Sequence, residues 1–201
     1  MDVVSSDNAT GAVDQQERLD AYVAGFVDGE GCFHVALQRN ANTRCGWQLV
    51  PEFRVSQDAA RIQVLHLVRA RIGCGTLREN HRQSHDHTYV LIVRRRRDLL
   101  EKVIPFFERN PLVSSKQNEA STFARIVRAM ERGAHREPKG FEWLATEALA
   151  MNGGGRYRRL HRQVTIQDPQ RPHAEHGALK SAAVKIWSDL HGDMQSQAEM
   201  S

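Results

Sequence analysis

Asp28 and Glu30 close the run Val23–Ala24–Gly25–Phe26–Val27–Asp28–Gly29–Glu30–Gly31, where an apolar helical pattern meets a stop signal. Leu19, Tyr22, Val23, Phe26 and Val27 recur at the three-to-four spacing of one helical face. The macrodipole opposes an acid at a helix C-terminus by roughly 0.3–1 kcal/mol. Two acids there ask for a counter-charge that the neighbouring sequence does not supply, and a divalent cation is the natural candidate. Ala24 and Gly25, beside the apolar face, are small enough to let a second helix backbone approach closely. A Gly inside a helix otherwise costs about 1 kcal/mol relative to Ala.

These acids must be held by the elements around them. Residues 1–15, rich in Ser, Asn, Thr and Gly, read as a disordered lead-in, and the first helix follows and ends near Glu30. Alternation predicts a strand over 32–38 with Phe33, Val35 and Leu37 on one face and His34, Ala36 and Gln38 on the other. A polar turn leads to a second strand over 47–56, with Leu49, Phe53 and Val55 inward and Gln48, Glu52, Arg54 and Ser56 outward. Pro51 on the inward parity suggests a bulge or a sheet edge. Asp58 is placed to cap a helix reaching Ile72 and stopped by Gly73-Cys74-Gly75. Strands over 76–80 and 88–93 and helices over 98–109, 115–132 and 141–151 complete the pattern, before Gly153-Gly154-Gly155 interrupts the chain.

VAGFVDGEG resembles the signature of the LAGLIDADG homing endonucleases, and later segments follow that family's order between Arg18 and Arg162. The resemblance implies an α+β fold with an αββαββα core. Its curved four-stranded antiparallel sheet would bind DNA, with helices packed on the other face. It also implies cleavage of double-stranded DNA with Mg²⁺ or Mn²⁺. Glu30, where the family more often has Asp, would ligate the metal through a slightly longer side chain, with the Gly29 carbonyl as second ligand. Asp28 reads instead as a helix-end residue satisfying nearby backbone or basic groups. Gln57, at the end of the second strand, matches the family's water-positioning residue, and Arg61 matches a basic residue near the scissile phosphate. Lys116, about 86 residues after Glu30, closes a second matching stretch that begins at Ile104 and would place an ammonium beside the reacting phosphate. Glu30, Gln57, Arg61 and Lys116 are thus the candidate catalytic residues. A Lys at a helix start also opposes the macrodipole, so helix stability alone does not account for it.

The acidic motif and the αββαββ pattern each occur once, so the resemblance is to the single-motif type, active as a homodimer. The first helix would form its interface through Val23, Ala24, Gly25, Val27 and Asp28. The outward parity of the strands supplies donors and acceptors for base edges in His34, Gln38, Gln48, Arg54, Arg78 and Asn80, with Arg39 and Arg44 at the strand tip. Arg156, Arg158 and Arg159, beyond the glycines, suit phosphates. Arg94 to Arg97 read as a phosphate contact or a solvated turn. His81, His85 and His87 near Cys74 lack the paired spacing of a zinc site.

Charge agrees with a polyanionic partner. The chain of 201 residues carries +4 overall, but residues 21 to 162 hold 24 Lys and Arg against 14 Asp and Glu. A solvated basic surface is the simpler alternative on charge alone. Three widely spaced cysteines read as reduced thiols, not a disulfide framework. No apolar run of membrane-spanning length, secretory signal or transit peptide is visible, which points to a cytoplasmic protein without a membrane partner, and no small-molecule substrate is expected. Residues 16–162 form the expected endonuclease domain and residues 163–201 a flexible C-terminal tail with room for a short helix. The rival reading keeps the fold without catalysis, as a DNA-binding regulator or an RNA maturase.

Overall fold

A computed structural model describes residues 6–43, 45–80 and 87–152. The chain opens with helix α1 (Ser6–Glu30), which runs without an intervening residue into strand β1 (Gly31–Arg39). Strand β2 (Trp47–Asp58), a 3₁₀ turn (Ala59–Arg61), helix α2 (Ile62–Ile72) and strands β3 (Thr76–Glu79) and β4 (Thr88–Val93) follow. Helix α3 (Arg96–Asp98) passes through a π-helical turn (Leu99–Val103) into α4 (Ile104–Arg109), and α5 (Lys116–Glu131) and α6 (Pro138–Asn152) complete the described fold. The strands form one antiparallel sheet in the order β1-β2-β4-β3.

Strand alternation sorts most side chains as the pattern predicts, but Ala36, expected outward, is buried. Phe33, Val35, Leu49, Phe53, Val55, Leu91 and Val93 are buried and share one core with Leu65, Val68, Phe107, Phe123 and Val127 from the helices. Phe33 is the centre of an aromatic cluster, 5.2 Å from Phe53, 5.3 Å from Phe107 and 5.5 Å from Phe123 between ring centroids. Pro51 meets the edge expectation. It pairs with Val35 of β1, while β4 joins β2 only from Phe53 onward, so no ladder partner needs the N–H that proline lacks. Asp58 caps the 3₁₀ turn by accepting from the Ala60 N–H at 2.8 Å, and Gly73 ends α2 in the left-handed region at φ 81°. The π turn precedes Pro105, which has no N–H for the regular ladder, and Ile104 bonds back to the Leu99 carbonyl.

One expectation is overturned. The lead-in read as disordered over 1–15 is helical from Ser6. Ala9, Ala12, Gln15, Gln16 and Glu17 are good helix formers, and extending an existing helix costs far less than nucleating one. Just beyond this extension Arg71 of α2 anchors α1, donating its Nε–H to Asp20 at 2.6 Å and a terminal amine to Gln16.

The α1–β1 junction is held from both sides. A Cβ at Gly31 would stand 2.5 Å from Val27 Cγ1 and 2.6 Å from the Val27 carbonyl oxygen, so the reversal of direction admits only glycine. Asp28 accepts the backbone N–H groups of Val113 and Ser114 at 3.2 and 2.9 Å, and the Ser114 hydroxyl as well. The Ser114 hydroxyl bond is the first cause holding the Asp28 carboxyl below its ordinary value of 3.8.

Gly31→Ala is expected to lower stability by about 1–3 kcal/mol in urea unfolding, because Val27 and the α1 backbone must move to admit the methyl. Asp28 has a depressed pKa in the fold, so its contribution is present above 3.8 and is lost as pH falls through the lower folded value. The difference in urea midpoint between wild type and Asp28→Ala should hold from about pH 7 to about pH 5 and close in more acid solution.

Candidate active site and nucleic-acid interface

Polar side chains converge where α1 meets the sheet. Lys116, the first residue of α5, donates its Nζ to the Gly31 carbonyl at 2.8 Å, one residue beyond Glu30. The ladder pairs Gly31 with Val55, which puts Gln57 at the same end of the sheet as Glu30. Gln57 is half-buried, and its Oε1 accepts the Asp58 N–H at 2.8 Å. Arg61 closes the next turn and is exposed. Glu30 and Gly29 are exposed, and among the described residues neither the Glu30 carboxylate nor the Arg61 guanidinium has a hydrogen-bond or ion-pair partner. Lys116 and Gln57, from distant parts of the sequence, therefore lie at the end of the sheet where α1 delivers Glu30, and Arg61 follows in the turn after β2. Asp28 behaves as the sequence suggested, since its carboxylate is spent on the backbone of the turn before α5.

The arrangement suits a hard cation. Glu30 offers carboxylate oxygens, and the terminal turn of α1 offers carbonyls that a helix end leaves without intrahelical partners. Among the described residues no three His, Cys, Asp or Glu side chains are grouped to hold a metal ion. Cys74 makes a poor ligand, because burial, with Asp98 nearby, pushes its thiol up to about 11. His81 and His85 lie outside the described residues.

The dimer face needs correction. Val23 and Val27 are fully buried in the chain's own core, so neither is left for a second copy, and Ala24 is only 6% exposed. Asp28 faces Ser114. Gly25 alone of the expected set is exposed, and α1 shows the outside Ala21, Tyr22, Gly25 and Gly29, with Phe26 half-buried and stacked on Tyr22. The apolar spacing in the sequence marked the inward stripe, and a helix that packs on both sides carries two apolar stripes that periodicity alone does not separate.

The face of the sheet opposite the core carries the predicted polar set. Register places Gln38 opposite Gln48, His34 opposite Glu52 and Cys32 opposite Arg54, with Arg78 opposite Val90. Gln48 donates to Gln38 at 3.2 Å and accepts from Asn40 at 2.7 Å, so three amides form one chain at the tip. His34 Nδ1 is 3.0 Å from Asn152 Oδ1, and the same amide donates to the Val35 carbonyl at 2.7 Å. Asn80 continues the parity of Arg78, and its N–H bonds to Thr88. Arg39 sits on the other parity, with its guanidinium 5.0 Å from the Trp47 ring centre. Arg44, Arg156, Arg158 and Arg159 lie outside the described residues.

Glu52 departs from the expectation of an outward, solvated acid. The parity is right, but the residue is only 8% exposed, because Arg94 and Arg54 close over it. Asn40 and Asn152 carry no sequence signal for these contacts, and Arg94, read as a phosphate contact or a solvated turn, instead pairs with Glu52. Arg94 continues the alternation of β4 by one residue and could have been found that way.

Comparison with known proteins accords with this geometry. Residues 23–127 match the model of the LAGLIDADG endonuclease family. The chain is 29% identical over 119 residues to DNA endonuclease I-CeuI of Chlamydomonas moewusii, covering 58% of this chain and 54% of that protein. It thus spans about half the length of that relative. The crystal structure of the homing endonuclease I-TnaI superposes with a TM-score of 0.64 at 36% identity, covering 83% of this chain and 97% of that one. The meganuclease I-SmaMI, solved bound to uncleaveable DNA, gives a TM-score of 0.60 at 26% identity over 70% of this chain and 45% of its own. The chain belongs to the LAGLIDADG endonuclease family.

Proposed function

We propose that the chain is a metal-dependent DNA endonuclease that acts as a homodimer and cuts both strands within a long pseudo-palindromic site, as an element-encoded homing enzyme. The observation that carries this reading is the bond from Lys116 to the Gly31 carbonyl beside Glu30, with Gln57 at the same end of the sheet. Relatives named as endonucleases and a relative solved on DNA support the same reading.

Glu30 and the Gly29 carbonyl would hold Mg²⁺ or Mn²⁺, which when bound supplies a more acidic water and charge neutralisation at the phosphate. Gln57 can orient a water through its amide, since it both donates and accepts without being a strong base. Lys116 spends one N–H on the Gly31 carbonyl, which fixes the ammonium in place, and two remain to stabilise charge building on a phosphate oxygen. Arg61, on a short rigid turn, can fork onto an adjacent phosphate.

The dimer has support in the glycines of α1. A Cβ at Gly25 or Gly29 would meet nothing within 4 Å, so the chain's own packing does not account for either residue. Close approach of a second α1 does account for both, and a two-fold axis there would bring two copies of Glu30 to one cleft.

Glu30→Gln is expected to lower Mg²⁺-dependent cleavage of a duplex carrying the target by roughly 10²–10³-fold, with duplex affinity kept. Metal-independent DNA binding with no cutting by the wild type would favour the regulator, and intron RNA binding that survives Glu30→Gln would favour the maturase. Gly25→Leu should keep a cooperative thermal unfolding curve, lose the concentration dependence of its midpoint, and shift the mass in sedimentation equilibrium from dimer to monomer. A monomeric wild type would refute the dimer.

A further inference from the structure

Glu52 is an acid in the middle of a surface that otherwise suits a polyanion. At 8% exposure its carboxylate is mostly withdrawn from water, which is costly unless it is paired. Its pairing is specific. Arg94 donates its Nε–H to Oε2 at 2.5 Å, and Arg54 Nη1 stands 4.0 Å from Oε1. Phe53 pairs with Val93, so one more step along the ladder sets Arg94 across from Glu52, with His34 across from it on the other side. The Arg94 side chain nevertheless remains 57% exposed.

A guanidinium held by its Nε–H keeps its terminal amines for an outside partner, pointed away from the carboxylate. That two-donor edge matches the O6 and N7 acceptors of guanine in the major groove. It matches a phosphate less well. Glu52 cancels the charge of Arg94, so the pair adds little to the attraction of a polyanion, and a carboxylate beside a phosphate is repelled. What Glu52 contributes is direction, because a long flexible side chain is held in one orientation before DNA arrives.

We propose that Glu52 is a positioning residue that holds Arg94 on the open sheet face as a reader of guanine, so that this row of the sheet selects a G·C pair. The inference rests on the reading of the chain as a DNA-binding nuclease. In a homodimer the preference would occur at two symmetry-related positions of the site.

The test is selection of bound duplexes from a library with a randomised core, using full-length wild type, Glu52→Gln and Arg94→Gln. The wild type should fix guanine at one symmetry-related pair of positions. Both variants should relax that preference about tenfold or more, while the other positions stay as they were. Replacing that guanine by 7-deazaguanine, which lacks the N7 acceptor, should weaken the wild type and leave Arg94→Gln unaffected. Arg94 is exposed, so this variant and the modified base decide the matter even if Glu52→Gln folds poorly. An unchanged base profile in Arg94→Gln overturns the proposal. So does a uniform loss over all sequences with a shallower salt slope, which marks a phosphate contact. Relaxation by Arg94→Gln but not by a folded Glu52→Gln overturns the positioning role. Failure of the wild type to enrich any duplex would instead refute the DNA-binding reading, and this inference with it.

Discussion

The direct join between α1 and β1 is the constraint on which the rest depends. A helix that turns into a strand with no linking residue must bring Val27 against the first strand residue, and only a residue without a side chain fits there. Because the turn occurs at Gly31, Glu30 is carried to the end of the sheet and left in solvent, while Val23 and Val27 are drawn into the core. Two hydrogen-bonded ties lock this geometry from the other side of the chain. Asp28 holds the turn before α5, and Lys116, the first residue of α5, reaches back to the Gly31 carbonyl. Folding energy and the placement of the candidate catalytic groups thus share the same few atoms.

The sheet's two faces obey different physics. The inner face is closed by aromatic and aliphatic packing around Phe33 and Phe53, where shape and volume decide what fits. The outer face is organised by polar pairing. Asn152, the last residue of α6, puts its amide against the Val35 backbone and so occupies part of the exposed edge of β1. That amide also orients His34, Glu52 orients Arg94, and Asn40 orients Gln48. In each case a polar group that would cost stability unpaired is matched to a neighbour that presents a donor or acceptor outward. A surface built this way is stiff before it meets a ligand, which favours discrimination between partners over adaptable contact.

The element pattern was legible because it rests on local rules. Alternation marked the strands, Gly73 and Asp58 marked helix ends, and the position of Pro51 was explicable as a sheet edge. Legibility failed where a property depends on what lies across a gap. Disorder over residues 1–15 followed from composition, yet α1 begins at Ser6, and Arg71, more than 50 residues away, bonds to Gln16 and Asp20 in the turns that follow. The apolar positions of α1 were identified correctly, but their assignment to a partner was not. Val23 and Val27 face inward, and the exposed stripe of Ala21, Gly25 and Gly29 is nearly silent on a hydrophobicity scale.

Residue types and order alone determined the family pattern, the αββαββα order and the identity of the acid at the end of α1, because these follow from nearest neighbours and helical or strand period. The tertiary structure decided which groups meet: Lys116 with Gly31, Asp28 with Ser114, Glu52 with Arg94 and His34 with Asn152. Those pairs are separated by tens of residues or more, and whether a charged side chain ends in water or against a partner depends on strand register and helix docking. No local period encodes that distance, so the outward acid read from β2 became visible as a buried anchor only once the sheet was assembled.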